Sequence, residues 1–165
     1  MTVCCAIVSA GGAWIGADRL AIIGDYDMRV VCAEPKIMRI PGAILGFAGS
    51  NKLIHRVVES LRDESPPPPW EVAAEVIGDD TDDDSEFECL IAAPNQLVWF
   101  STPDFAPVAL ASAHAAIGAG AMAALGSLES TTGQDPQQRI KTAIESAERW
   151  CPSVGGGADY MKIPP

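Results

Sequence analysis

Apolar residues recur with two different periods in this chain, in separate blocks, and their order limits the folds that the chain can adopt. Residues 3–48 carry short apolar runs separated by turns that contain Gly or Pro, which is typical of antiparallel strands joined by hairpins. From Ser50 the spacing becomes helical, and later a second block of short runs precedes a second block of helical stretches. Strands and helices segregated in this way predict an α+β fold in which antiparallel sheets are covered by layers of helices.

Periodicity and turn residues place the individual elements. We predict strands at residues 3–8, 13–17, 30–32, 36–40, 43–48, 88–93, 96–101 and 160–163. We predict helices at residues 53–61, 70–77, 122–128 and 137–150, and a further apolar run at residues 108–117 ends at Gly118. Because 165 residues with 48% hydrophobic content are enough for one core, we assign residues 1–165 to a single domain.

The charge balance argues against two classes of partner. The chain has 11 Lys and Arg against 22 Asp and Glu, a net charge of -11, so we expect it to bind neither nucleic acid nor an anionic membrane. No apolar run reaches the ~20 residues of a membrane-spanning helix, and we expect no signal peptide. The acidic run at residues 79–84 lacks the Gly and the terminal Glu of an EF-hand loop, so we interpret it as a solvated loop.

The cysteines and histidines indicate neither a disulfide framework nor a metal site. The five cysteines are odd in number and contain no CxxC pair, so we expect reduced thiols in a cytoplasmic protein. The two histidines, His55 and His114, have no spacing that forms a metal site. The sequence therefore predicts no metal and no cofactor.

Several segments, in order along the chain, resemble motifs of the proteasome β-subunit family, and most closely those of the bacterial HslV protease. The segments are Thr2-Val3 ahead of a hairpin, Ile15-Gly16-Ala17-Asp18, Pro35-Lys36-Ile37-Met38-Arg39-Ile40, Leu45-Gly46-Phe47-Ala48-Gly49-Ser50, Ala116-Ile117-Gly118-Ala119-Gly120, and residues 150–163. The resemblance covers essentially the whole chain. It implies the N-terminal-nucleophile (Ntn) hydrolase fold, a four-layer αββα sandwich of two antiparallel sheets flanked by helices.

The resemblance also implies a threonine-type endopeptidase with a nucleophile at Thr2. Once Met1 is removed, Thr2 carries its own base, because its freed α-amino group has a pKa near ~8 and lies beside the hydroxyl. Lys36 is the residue placed to lower the pKa of both groups, and Asp18 would pair with Lys36 and keep its ammonium charged and oriented. The backbone N–H of Gly46 occupies the position of the oxyanion donor.

The same resemblance suggests a substrate pocket and partners. Met38, Ile44 and Phe47 are expected to shape an apolar primary pocket for a polypeptide substrate. Members of the family work as homo-oligomeric rings that receive unfolded chains from an ATPase unfoldase partner. The resemblance therefore implies a self-compartmentalising ring whose isolated subunits are nearly inactive.

Two positions that depart from the family pattern keep another interpretation open. Ala119 stands where the family has Ser, and Val154 stands where it has a hydroxyl residue. Both changes favour a catalytically inactive proteasome-like structural or assembly protein, for example in a phage particle. A non-peptidase amidohydrolase of the same nucleophile class ranks last, because such enzymes usually begin with Cys or Ser.

Overall fold

Two antiparallel sheets lie face to face between two pairs of helices in the computed structural model, which describes residues 2–23, 28–62, 66–78 and 86–165. In chain order the elements are β1 (Cys4–Ser9), β2 (Gly12–Asp18), β3 (Leu20–Ile23), β4 (Met28–Val31), β5 (Ile37–Ile40), β6 (Ala43–Gly49), α1 (Asn51–Ser60), α2 (Pro69–Gly78), β7 (Phe87–Ala93), β8 (Gln96–Ser101), β9 (Val108–Leu110), β10 (His114–Ile117), α3 (Ala121–Ser130), α4 (Pro136–Trp150) and β11 (Ala158–Ile163). The predicted four-layer αββα sandwich is confirmed.

The sheets differ in size and in how the chain builds them. One has the strand order β10-β1-β2-β11 and the other the order β5-β6-β7-β8-β9, while β3 and β4 form a separate two-stranded ribbon. The N-terminal hairpin β1–β2 is the centre of the first sheet, and the hairpins β5–β6 and β7–β8 build most of the second. The turn residues of the sequence therefore account for most of the strand pairing.

Side-chain alternation along β1 shows how the layers are held together. Cys4 and Ala6 are buried in the core between the two sheets, whereas Val3, Cys5 and Ile7 are buried against α3 and α4. On the other side of the molecule, α1 and α2 cover the second sheet over a core that contains the tilted aromatic rings of Phe47, Phe87 and Phe100. Because strands of both sheets are buried on both faces, their sequences are nearly continuous apolar runs.

The structure differs from the sequence-based element assignment at two places. The apolar run at residues 108–117 is divided into β9 and β10, which pair with β8 and β1 and so belong to different sheets. Strand β3 is absent from the predicted strands, because only Arg19 separates it from β2 and no Gly, Pro, Asn or Asp follows to mark a turn between them. The acidic run at residues 79–84 lies outside the described residues. Among the described residues, no helix is both long and apolar enough to cross a lipid bilayer.

Candidate active site

The pairing of β1 with β2 brings Thr2 beside Asp18. The hairpin register aligns Cys4 with Ala17 and, one step further, Val3 with Asp18, whose backbone N–H donates to the carbonyl of Val3 at 3.2 Å. The Thr2 hydroxyl donates to Oδ1 of Asp18, which also accepts the backbone N–H of Val3 at 3.1 Å. Both side chains are buried, with 1% of Thr2 and 0% of Asp18 exposed.

Lys36 reaches the same point from the second sheet. It directly precedes β5, and its carbonyl accepts the backbone N–H of Phe47 at 3.0 Å, which aligns it with β6. Its Nζ lies 3.1 Å from Oδ1 of Asp18 and donates to the hydroxyl of Thr2 and to the carbonyl of Leu20. The structure thus brings three of the predicted catalytic side chains into one buried hydrogen-bonded cluster, here called the threonine cluster: Thr2, Asp18 and Lys36.

The Asp18 carboxylate in this cluster has partners on both oxygens. Oδ1 contacts Thr2 and Lys36, while Oδ2 accepts the backbone N–H groups of Leu20 at 3.3 Å and Gly155 at 3.0 Å. A buried carboxylate is stable only when it is paired and hydrogen-bonded in this way. The cluster is therefore a compensated pair of opposite charges with one neutral hydroxyl between them.

The loop between α4 and β11 supplies one of these donors through Gly155, which is not among the predicted site residues. Arg19 holds the loop: its backbone N–H is shared between the carbonyls of Gly155 at 3.1 Å and Gly157 at 3.0 Å, and its guanidinium pairs with Asp159. Gly155 and Gly157 have φ values of 144° and 85°, conformations that favour glycine. The run of three glycines at residues 155–157 was the available signal that backbone, and not side chains, acts here.

Gly118 lies against Thr2 on the side of β10. It has φ 84°, and a Cβ added to it would lie 2.5 Å from the carbonyl oxygen of Thr2 and 3.0 Å from its methyl group. The same carbonyl accepts the backbone N–H of Gly120 at 3.1 Å. The backbone of residues 118–120 therefore fixes the position of Thr2, while Ala119 contributes no hydroxyl.

Gly46, the predicted oxyanion donor, is buried between the two sheets. A Cβ added to Gly46 would lie 2.1 Å from Sγ of Cys4 and 2.9 Å from Cδ1 of Ile15, both of which belong to the first sheet. Glycine is required here because the two sheets approach too closely for any side chain.

The strand ladder also directs the N–H of Gly46 away from the cluster. Phe47 is bonded to Lys36, so β6 turns the amide of Phe47 toward β5. In an antiparallel sheet the neighbouring residue points the other way, which turns the N–H of Gly46 toward its partner Leu90 on β7. The structure therefore does not add Gly46 to the residues gathered around Thr2.

We expect Gly46→Ala to lower the free energy of unfolding by about 1–3 kcal/mol, because the added carbon overpacks the space between the sheets. Removing the facing sulfur should relieve part of the clash. The double variant Gly46→Ala/Cys4→Ala should therefore lose less unfolding free energy than the sum of the losses in the two single variants. Urea denaturation measures both.

The matched control for this substitution is Gly126→Ala on the exposed face of α3, where an added Cβ meets nothing within 4 Å. This change should raise the free energy of unfolding by about 0.5–1 kcal/mol, since alanine restricts the unfolded chain. Equal effects at the two glycines would contradict the close approach of the sheets at Gly46.

The three residues predicted to shape a primary pocket are not brought together. Ile44 is buried between the two sheets, whereas Phe47 is buried under α1 and α2. Residues three apart on a strand point to opposite faces, which is the reason for the separation. Met38 lines the cavity that also includes Lys36.

Two cavities are lined in part by residues that border the threonine cluster. The first, here called the Lys36 cavity, has a volume of about 370 Å³ and is lined by residues that include Lys36, Met38, Ile54, Val58 and Arg62. The second, here called the Gly118 cavity, has a volume of about 430 Å³ and is lined by Gly49, Glu86, Phe87, Glu88, Ser101, Thr102, Gly118 and Ala119. Each cavity therefore includes a residue that contacts Thr2.

The buried thiols offer no alternative nucleophile. Burial raises the pKa of Cys5 to about 12, and burial is also the main cause that raises the pKa values of Cys4 and Cys89. A protonated thiol is a weak nucleophile, so these residues act as small apolar side chains. Within the described ranges, no group of three or more His, Cys, Asp or Glu side chains is arranged to hold a metal ion.

No family model matches this sequence, and no curated protein matches it either. Solved structures match over 99% of the chain. They include the protein BPH of Thiobacillus denitrificans in complex with epoxomicin (16% identity, 98% of that chain, TM-score 0.81) and eukaryotic HslV from Trypanosoma brucei (17%, 100%, 0.74). Anbu, an ancestral β-subunit from Yersinia bercovieri, also matches (17%, 81%, 0.75). The chain therefore has the Ntn-hydrolase fold of these proteasome-like proteins, as the sequence motifs predicted.

Proposed function

We propose that this protein is the subunit of a threonine-type endopeptidase, in which Met1 is removed and Thr2 attacks the peptide bond. The observation that carries the proposal is the contact of one buried hydroxyl with both members of a charge pair. Thr2 donates to Asp18 and accepts from Lys36, in a fold whose first strand begins only two residues later. A core threonine needs no such pair, whereas an activated nucleophile does.

The charges of the threonine cluster fit the steps of acyl transfer. The α-amino group of Thr2 would accept the hydroxyl proton, and the Lys36 ammonium would stabilise the resulting oxygen anion. Oγ1 then bonds to the substrate carbonyl carbon, and collapse of the tetrahedral intermediate breaks the C–N bond and passes the proton to the leaving amine. Water hydrolyses the acyl ester by the same route in reverse. Asp18 keeps the lysine oriented throughout.

The oxyanion formed in these steps needs a fixed N–H donor, and we assign it to Gly49 in preference to Gly46. By the alternation along β6, the amide of Gly49 points to the β5 side, from which Lys36 comes, whereas the following amide of Ser50 donates to the carbonyl of Glu86 at 2.9 Å. Gly49 also lines the Gly118 cavity, where a substrate carbonyl oxygen could meet its amide. Glycine is needed at this position because φ is 112° and a Cβ would lie 2.0 Å from the carbonyl oxygen of Glu86.

The Lys36 cavity is the proposed site for the substrate side chain on the acyl side of the scissile bond. Met38, Ile54 and Val58 give it an apolar wall, and Lys36 connects it to the threonine cluster. This arrangement supports a preference for apolar side chains at that position of a polypeptide substrate.

The proposal includes assembly into a homo-oligomeric ring in the cytoplasm, with an ATPase unfoldase as possible partner. The fold and the resemblance of the sequence to the proteasome β family support this step. So do two exposed apolar side chains on the outer helices, Met122 at 83% and Trp150 at 76% exposure, which suit burial against another subunit.

A second candidate function is a catalytically inactive subunit that keeps the fold for structural or assembly purposes. Ala119 at the Gly118 cavity and Val154, which is 1% exposed, favour it, because neither can supply the hydroxyl expected near the nucleophile. An inactive subunit, however, has no need of a buried lysine–aspartate pair around Thr2.

The experiment that separates the two candidates is hydrolysis of short peptide amides with an apolar residue before the scissile bond. We expect the assembled fraction from size-exclusion chromatography to release the amine, and Thr2→Ser to retain measurable activity because it keeps a hydroxyl. Absence of release by assembled, correctly processed protein would contradict the peptidase and favour the inactive subunit.

A further inference from the structure

The Gly118 cavity places a carboxylate close to the proposed nucleophile. Glu88 lies on β7 opposite Ala48 of β6, is partly buried, and accepts the backbone N–H of Gly118 on Oε2 at 2.9 Å. Gly118 is in turn the residue that lies against the carbonyl and methyl groups of Thr2. Only one residue therefore separates the Glu88 carboxylate from Thr2.

The residues that line this cavity carry negative charge. Two of its residues are glutamates, Glu86 and Glu88, and two more carry hydroxyls, Ser101 and Thr102. Of the described residues, those that line it include no Lys, Arg or His. A concave surface with negative charge and no compensating cation concentrates positively charged groups. The cavity volume of about 430 Å³ is within the range of small-molecule sites and can admit a long side chain.

The geometry of Glu88 suits the binding of a cation. Its bond to Gly118 fixes one oxygen, so the orientation of the carboxylate is set before a ligand arrives. A carboxylate has about four acceptor positions, and one backbone N–H leaves capacity for an ammonium or guanidinium donor. Glu86 is exposed and stands at the same cavity, where it can add to the negative potential.

We propose that Glu88 makes the Gly118 cavity a subsite for a cationic side chain, Lys or Arg, on the leaving-group side of the scissile bond. This inference rests on the proposed function. The acyl-side residue is assigned to the Lys36 cavity, and the Gly118 cavity also includes a residue that lies against Thr2, so we assign the residue across the scissile bond to it. The substrates favoured by this protein are then polypeptides with an apolar residue followed by a basic one.

Paired peptides test the assignment. The two peptides differ only in the first leaving-group residue, which is Lys in one and its uncharged analogue norleucine in the other. We expect wild-type protein to cleave the Lys peptide with about tenfold higher kcat/KM, the ordinary size of a charge-assisted hydrogen bond. Glu88→Gln should bring the ratio close to one, since Gln keeps an acceptor for Gly118 but loses the charge. Glu71→Gln, at an exposed position on α2, should keep the wild-type ratio.

Binding of the same peptides to the Thr2→Ala variant separates the subsite from the chemistry. Tighter binding of the Lys peptide than of the norleucine peptide supports the subsite, provided that the difference disappears when Glu88→Gln is added. This conclusion holds even if wild-type protein hydrolyses neither peptide, because absence of hydrolysis would contradict only the peptidase activity. Equal binding of the two peptides overturns the subsite, whether or not hydrolysis occurs. A preference that survives Glu88→Gln also overturns the assignment to Glu88.

Discussion

Thr2→Ala will reduce peptide hydrolysis at least about 10³-fold, the scale seen when a nucleophile is removed from other hydrolases. The physical reason is that no other hydroxyl contacts both Asp18 and Lys36 in the described part of the chain. The steady-state rate of amine release from a peptide amide measures the loss. Alanine, like threonine, is small enough for removal of the preceding Met1, so the variant keeps the same mature N-terminus.

Controls for this prediction separate lost chemistry from lost folding. Asp18 and Lys36 remain paired without the hydroxyl, and Lys36 still donates to the carbonyl of Leu20. We therefore expect Thr2→Ala to lower the free energy of unfolding by only about 1 kcal/mol. Thr2→Ser should keep the nucleophile and part of the activity. Wild-type-like hydrolysis by folded Thr2→Ala protein would contradict Thr2 as the nucleophile.

Breaking the Asp18–Lys36 pair will have the largest effect on stability. Lys36 is 5% exposed and Asp18 is 0% exposed, so Lys36→Met leaves a buried carboxylate without its cation, and Asp18→Asn leaves a buried ammonium without its anion. Each should lower the free energy of unfolding by about 3–5 kcal/mol, as measured by urea denaturation. Hydrolysis should be lost in both variants, because Lys36→Met removes the ammonium that contacts the hydroxyl of Thr2 and Asp18→Asn removes the charge that holds this ammonium.

The double variant Asp18→Asn/Lys36→Met provides the matched comparison. It removes both charges together, so it should be less destabilised than the sum of the single variants. The exposed pair Lys141–Glu145, with Nζ and Oε1 3.9 Å apart on α4, offers a control in which the corresponding substitutions should change stability very little. Additive effects at Asp18 and Lys36 would contradict a directly coupled buried pair.

The part of the site that lies within one hairpin was predictable from the sequence. A tight turn near residues 10 and 11 pairs the start of β1 with the end of β2, and this places Thr2 beside Asp18. Lys36 belongs to the other sheet, and no periodicity in the sequence states how two sheets stack. Only the resemblance to a known family connected Lys36 to Thr2, and the structure places it in the same cluster.

The remaining predictions depended on two details of β6: which neighbouring strand each amide points to, and which face of the sheet each side chain occupies. Its sequence is apolar on both faces, so hydrophobicity gives no reason to prefer Gly46 or Gly49 as a backbone donor. The separation of Ile44 from Phe47, in contrast, could have been read from their spacing, because residues three apart on a strand cannot share a face. Gly155 contributes its backbone amide to the site, and a backbone donor of this kind cannot be predicted from residue type beyond the run of glycines that contains it.

The measurement that tests the central claim most directly is the intact mass and N-terminal sequence of the protein purified from its natural producer. A chain that begins at Thr2 is the predicted result, because the free α-amino group is then available to accept the proton of the hydroxyl. A chain that still begins at Met1 would contradict the proposal, since the nitrogen of Thr2 would be a peptide nitrogen and could not act as a base. The buried Thr2–Asp18–Lys36 cluster would then belong to an inactive subunit.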